Sequence, residues 1–295
     1  MFECATLLRS HCRELTITPS ERAVPIGERC NALGYKNVRQ ALQRGDYTIF
    51  ERRAAAQESA GAQILNVNVV CEGVNETEAL SRAISAIEAG SACPISIDFA
   101  NISALEAALK SYRGRALINS VNGEQAKMKQ VFPLMKQYGA AAVALLVDDS
   151  AGVAMDPGVR VSIAERIIDS ASAYGLAVHD FIFDCVVLGA ATEPHSARVM
   201  FETMRRLRES YNCNITLGAS NAAFGLPERE IFNAHFLSAS MAFGCNVPIT
   251  DPTVPELKRA LMIGDVLRGA DDYAIGYISE FRRASQSTDQ KVAAL

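Results

Sequence analysis

Five short apolar runs in this chain end on a carboxylate or a carboxamide. They are Leu65-Asn66-Val67-Asn68, Ser96-Ile97-Asp98, Ala116-Leu117-Ile118-Asn119, Ile182-Phe183-Asp184 and Leu217-Gly218-Ala219-Ser220-Asn221. A carboxylate accepts two hydrogen bonds from adjacent N–H groups, and a carboxamide both donates and accepts. Together they can read one edge of a flat, amide-rich heterocycle with direction. A fused pyrimidinone, with its amino group, ring nitrogens and carbonyl along one side, is such a ligand. Asp98, Asn119 and Asp184 are the candidates for that edge. Each taken alone has a local reading, because Asp and Asn after a strand often bond their own turn or cap the next helix. Recurrence at the same place after successive strands favours one shared site. No His, Lys or Cys cluster accompanies these ends, so neither a metal nor a covalent intermediate is indicated.

Elements that would bring these ends together are visible in the periodicity. Apolar runs alternate with helical patterns every 20 to 40 residues or so, which is the signature of repeated βα units and a parallel sheet. Strands are expected near 23–27, 63–68, 94–98, 115–119, 141–147, 181–184, 214–218 and 246–249. Helical patterns include Glu76 to Ala89, Ile102 to Ser111, Glu124 to Tyr138, Val159 to Tyr174, Ser196 to Ser210, Glu228 to Phe243 and Val254 to Leu267. Left-handed caps are expected at Gly90, Gly139, Gly175 and Gly244. Eight strands with intervening helices and no Pro/Ser-rich linker fit an α/β fold with a single (β/α)8 TIM barrel and an N-terminal extension. The expected divisions are 1–22 for the extension, 23–285 for the barrel and 286–295 for a C-terminal tail. The C-terminal strand ends of such a barrel share one face, where its chemistry sits. A doubly wound nucleotide-binding sheet is set aside, since the first strand leads into Ile26-Gly27-Glu28-Arg29-Cys30-Asn31, which is not a phosphate-binding glycine loop, and no P-loop motif occurs.

Bulk composition narrows the class further. The 295 residues are 49% hydrophobic, enough for a large core, and the formal net charge is −4. No basic patch advertises nucleic acid. The apolar stretches are strand-sized, short of the roughly 20 residues a membrane helix needs. Residues 1–22 contain Glu3, Arg9, Arg13 and Glu14 and lack an apolar signal core, so they are expected to be an extension of a cytoplasmic protein. Eight scattered cysteines, with no Cys-x-x-Cys pair, read as small apolar residues in a reducing compartment. Cys30 and Cys185, near strand ends, carry the alternative of a reactive thiol. Of the four histidines, His11, His179 and His235 read as packing or surface groups, and His195, on the expected active-face loop, is kept as a secondary candidate for partner contact.

At this point a resemblance becomes specific. The segments Gly27-Glu28-Arg29-Cys30-Asn31, Ile97-Asp98, Ile118-Asn119-Ser120-Val121-Asn122, Phe183-Asp184 and Leu217-Gly218-Ala219-Ser220-Asn221-Ala222-Ala223-Phe224-Gly225-Leu226-Pro227 are similar to those of the pterin-binding methyltransferases. These barrel proteins move a methyl group between methyltetrahydrofolate and the cobalt of a corrinoid protein. The family includes the folate module of cobalamin-dependent methionine synthase. Similarity runs from about Val24 to Leu267, and the order and spacing of the segments carry it.

The resemblance implies that Asp98, Asn119 and Asp184 hold the pterin edge. It implies that Asn221 lies at the ring nitrogen bearing the methyl, with Asp98 as an acidic neighbour that could feed a proton network, so Asn221 and Asp98 are the catalytic candidates. Asn122, Ser220, Asn68 and Arg229 are further pterin contacts on this reading. It also implies tetrahydrofolate or methyltetrahydrofolate as substrate, cobalamin or another corrinoid supplied by a separate, transiently bound protein, and a homodimer. The chain departs from the pattern at Asn66, where relatives often carry Asp, and at Ala222-Ala223, where a hydroxyl residue is common. Two alternatives stay open. One is a dihydropteroate synthase-like enzyme, which needs a basic diphosphate-binding set where this chain has Asn246-Val247-Pro248-Ile249-Thr250-Asp251-Pro252. The other is a folate-binding module without catalysis.

Overall fold

A computed structural model describes residues 4–150 and 152–283. Strands rich in Val, Ile and Leu and buried on both faces are what a parallel sheet covered by helices requires. Ile64–Asn68, for example, is buried at every position. Eight parallel strands follow one another around a barrel: β3 (Ile26–Asn31), β4 (Ile64–Asn68), β5 (Ile95–Asp98), β6 (Leu117–Asn122), β7 (Ala141–Leu145), β8 (Phe181–Asp184), β9 (Asn214–Thr216) and β10 (Ile249–Thr250). β10 pairs with β3. The seam between the two short last strands is held by Ile249 N–H on Leu217 O at 2.8 Å and Ala219 N–H on Ile249 O at 3.0 Å. The protein is thus the (β/α)8 TIM barrel expected from the sequence.

Outside the barrel run α1 (Lys36–Gln43), α2 (Thr48–Ala60), α3 (Glu76–Gly90), α4 (Ile102–Ser111), α5 (Gln125–Tyr138), α6 (Pro157–Ser172), α7 (Ser196–Tyr211), α8 (Arg229–Ala242) and α9 (Pro255–Leu267). Their starts show what Asn and Asp do when they act locally. Asn75 accepts from Thr77 and Glu78 N–H, Asn101 from Ser103 N–H, and Asp156 from Val159 N–H, each satisfying an orphan donor of the first turn. Gly139, Gly175 and Gly244 have the positive φ of left-handed caps. Gly90 does not: it closes α3 in ordinary helical geometry, and a Cβ there would lie 2.5 Å from Glu51 O, so close packing on α2 explains it.

The N-terminal extension folds as a hairpin, β1 (Thr6–Arg9) with β2 (Glu14–Ile17), antiparallel. Its Leu8, Leu15 and Ile17 join Ile26, Ile64, Leu117, Ala141, Ile182 and Val247 in one apolar cluster. Those barrel residues sit at or near the starts of their strands, so the hairpin packs over the N-terminal end of the barrel. Carboxamides fasten it: the Asn214 amide donates to Thr6 Oγ1 and Ile17 O, both at 2.9 Å, and the Asn246 amide donates to Thr18 O at 3.1 Å. Three expected boundaries shift. The first barrel strand begins at Ile26, after Pro25, which has no N–H for the ladder, and continues to Asn31. β6 runs on to Asn122 through a register shift between Ile118 and Val121 and a cis Asn119-Ser120 peptide bond. The last strand is Ile249–Thr250, downstream of Pro248. The tail expected at 286–295 lies outside the described residues.

Candidate functional site

The C-terminal ends of the strands enclose a cavity of about 600 Å³ lined by Glu28, Asn31, Leu33, Gly34, Tyr35, Asn66, Asp98, Asn119, Asp184, Gly218, Ser220, Asn221, Arg229 and Ile249. That size suits a single small-molecule ligand. A somewhat larger cavity, about 670 Å³, lies between α2, α9 and residues 271–283, but its charges are spent on each other, as in Arg22–Asp271 at 2.5 Å and Lys258–Glu280 at 2.7 Å. The polar groups at the strand ends have fewer protein partners.

Of the eight residues singled out from sequence, six line this cavity: Asp98, Asn119, Asp184, Ser220, Asn221 and Arg229. Asn68 and Asn122 do not. Asn68 is fully buried behind the wall, accepting from Val70 N–H at 3.0 Å, and Asn122 accepts from Glu124 N–H at 3.2 Å. Both follow the local-turn chemistry of their residue type. Asn68 still bears on the site, because its amide hydrogen-bonds the Asp98 carboxylate from behind.

Asn66 organises the floor. Its Oδ1 accepts from Ser96 Oγ at 2.9 Å and from Asn119 Nδ2 at 3.1 Å. With its oxygen occupied, its amide is left to hydrogen-bond Asp98. The departure from Asp at this position therefore supplies a donor that an ionised Asp could not. Burial raises the Asp98 pKa above the ordinary carboxylate value, with Glu76 adding to it, while the Asn68 and Asn66 amides and Lys127 pull the other way.

Asp184 is held from two sides. Its Oδ1 accepts from Val186 N–H at 2.8 Å, and Val186 takes φ +56°, an uncommon conformation for a β-branched residue. Behind it lies Arg160 of α6, with no exposed surface. Its guanidinium donates to Ala154 O at 2.7 Å, to Val186 O at 2.6 Å and to Cys185 O. Burial pushes the Asp184 carboxyl up to about 6, against the Val186 N–H and the Arg160 charge, which both lower it.

Asn221 stands on the tight turn after β9, where its backbone N–H bonds Gly218 O at 3.2 Å. A Cβ at Gly218 would come within 2.7 Å of Asn221 Nδ2, so the glycine is what lets the amide lie over the cavity. Arg229, the first residue of α8, donates to Ser220 O at 3.3 Å and has its guanidinium 5.9 Å from the Phe224 ring centre, forming one rim.

Glu28, Asn31 and Tyr35 line the cavity and were missed as site residues in the sequence. A first strand ending at Gly27 leaves Glu28 in a turn, whereas β3 continues to Asn31 and carries it to the cavity. The reactive-thiol alternative does not hold: Cys30 and Cys185 are fully buried, the first thiol pushed up to about 12 and the second well above its usual value, both chiefly by burial. His195 is exposed at the start of α7 and does not line the cavity. Among the described residues no group of three or more His, Cys, Asp or Glu is placed to hold a metal ion, and no helix is long and apolar enough to cross a membrane.

Comparison with known proteins bears directly on this cavity. Residues 27–251 match the family model described as pterin binding enzyme, a span that begins at β3 and ends just after β10. The chain belongs to the pterin-binding enzyme family. A methylcorrinoid:tetrahydrofolate methyltransferase of Eubacterium limosum is 28% identical over 260 residues, 88% of this chain and 96% of that protein. Methionine synthase of Mycobacterium leprae is 30% identical over 280 residues, 90% of this chain, but the match spans only 23% of that longer protein. Among solved structures, a Yersinia pestis DHPS with a pterine-sulfa conjugate superposes with a TM-score of 0.64 over 87% of this chain and 97% of the other, at 18% identity. At that identity the likeness is one of fold.

Proposed function

We propose that this protein is a methyltransferase that moves a methyl group between methyltetrahydrofolate and the cobalt of a corrinoid protein. The observation that carries the reading is the polar floor built from successive strand ends, in a chain whose nearly full-length relative bears that activity in its name. Asp98, Asn119 and Asp184 bind the pterin edge, and Asn221 lies at the methyl-bearing nitrogen. A tertiary amine leaves poorly unless its nitrogen gains positive character, so the enzyme orients the methyl and favours protonation of that nitrogen. The corrinoid is a co-substrate that arrives on a partner over the open mouth. A dihydropteroate synthase-like reading lacks its basic set at the last strand, where Asp251 takes up Arg29 at 2.8 Å.

Mixing the protein with methyltetrahydrofolate and reduced cobalamin should convert the cobalt spectrum to the methylated form, and the reverse mixture should run backward. Asp98→Ala and Asn119→Ala should weaken folate binding by about 1.5–3 kcal/mol, the usual loss for a charge-assisted partner in a buried site. No spectral change in either direction would reject the methyltransferase. Unchanged folate affinity in folded variants would take these residues out of the site.

The homodimer is part of the same proposal, closed two-fold dimers being the commonest assembly. α8 carries exposed Ile231 and Phe232, apolar side chains that a second copy would cover. Light scattering at micromolar concentration should give twice the 31.8 kDa chain mass, and a single chain mass would refute the dimer.

A further inference from the structure

The cavity contains one carboxyl that recognition of the pterin edge leaves unused. Glu28 comes from β3, on the side of the cavity near β10 rather than with Asp98 and Asn119 on β5 and β6. Its Oε2 accepts a long hydrogen bond, 3.3 Å, from the hydroxyl of Ser220, and Ser220 is the residue before Asn221. No salt bridge neutralises it among the described residues. Arg29 on the same strand donates to Asp251 Oδ2 at 2.8 Å and to Thr253 Oγ1 at 2.9 Å. Arg53 of α2 is taken by Arg29 O and by Asn37 Oδ1 at 2.7 Å, and Arg229 of α8 by Ser220 O. The titratable and charged groups around Glu28 are Arg29, Tyr35, Asp251 and Arg229. Burial, then the Asp251 carboxylate, push Glu28 up to about 7, against the Ser220 hydrogen bond and the charges of Arg229 and Arg29. Near neutrality this group is present both as acid and as base. The other two carboxyls are committed differently: Asp98 to the Asn68 and Asn66 amides, Asp184 to the Val186 N–H.

Resting on the methyl-transfer reading, we propose that Glu28 is the proton reservoir of the reaction, exchanging a proton with the methyl-bearing nitrogen by way of the Ser220-Asn221 turn. Towards cobalt, the carbon–nitrogen bond breaks with its electron pair going to nitrogen. The cobalt(I) of the corrinoid substrate supplies the pair for the new cobalt–carbon bond and ends as cobalt(III). The O–H bond of Glu28 is given up for an N–H bond on the folate, and the Glu28 carboxylate recovers a proton from water. In the reverse direction Glu28 as carboxylate takes the proton from the nitrogen. Asn221 has no useful pKa of its own and orients the nitrogen, while Glu28 stores the proton, so the two roles separate.

The test is single-turnover transfer to reduced cobalamin between about pH 5.5 and 8.5, alongside tetrahydrofolate affinity, for wild type, Glu28→Gln and Ser220→Ala. In the wild type the rate should fall as pH rises through about 7, because the acid is the donor. Glu28→Gln should lose that inflection and run roughly 10²-fold slower at the acid end, with affinity changed less than about threefold. Ser220→Ala should slow transfer and move the inflection to higher pH, since the hydrogen bond it removes favours the charged carboxyl. An unchanged inflection and rate in Glu28→Gln overturn the proposal, as does a loss of affinity equal to the loss of rate. An unmoved inflection in Ser220→Ala overturns it by a second variant. A wild type with no transfer in either direction overturns methyl transfer itself, which distinguishes that failure from failure of Glu28 alone.

Discussion

Asn221→Ala is expected to slow single-turnover methyl transfer by roughly 10²- to 10³-fold while changing tetrahydrofolate affinity by less than about threefold. That is the usual scale for removing one preorganised polar group aimed at developing charge. On the proposed reaction its partner on the folate becomes more positive as the carbon–nitrogen bond breaks, so the amide would contribute more to the transition state than to the ground state. The backbone of the turn does not depend on the side chain. The Asn221 N–H bond to Gly218 O and the Phe224 N–H bond to Asn221 O, both at 3.2 Å, survive in alanine. If Asn221 served only to shape that turn, melting temperature, affinity and rate would decline together. A normal melt with a normal rate would remove it from the chemistry.

Arg160→Leu should carry the largest stability loss among changes away from the cavity, about 3–5 kcal/mol in urea denaturation, the range for uncovering partners of a buried charge. Leucine fills part of the space but leaves the carbonyls of Ala154, Cys185 and Val186 without their donor. On the proposed binding mode the effect reaches the ligand through Asp184, which lines the cavity. Its folded-state pKa is raised, so its contribution to stability is fully present below the ordinary carboxylate value and is lost as pH rises through about 6. Without the Arg160 charge that window moves up. The variant should therefore lose more folate affinity at neutral pH than at alkaline pH, where the carboxylate is restored. Wild-type stability in Arg160→Leu would show that water satisfies the three carbonyls.

Much of the cavity lining was legible because residue type and strand position coincide in it. Asp98, Asn119 and Asp184 stop apolar runs, and a barrel turns a repeated position in sequence into a shared position in space. Asn68 and Asn122 carry the same signal but do not line the cavity, because a carboxamide two residues before a free backbone N–H bonds it wherever the next turn begins. Boundaries failed where the backbone was irregular. The expected strand at 23–27 contains Pro25 and ends at Gly27, whereas the strand starts after the proline and passes the glycine at a register shift, carrying Glu28 to the cavity. Interactions between distant segments left no trace in local pattern. Asn66 with Ser96 and Asn119 joins three strands, and Arg160 sits in a helical pattern whose spacing says nothing of the carbonyls that surround it. The hairpin at 6–17 was too short for its alternation to stand out from an unstructured extension.

That hairpin decides which face of the barrel is free. By packing Leu8, Leu15 and Ile17 on the strand starts, it covers the end of the core opposite the cavity. On the proposed reaction, ligand and partner would then share the mouth at the strand ends, so the folate would have to enter before the partner docks. Excess partner should accordingly slow folate exchange.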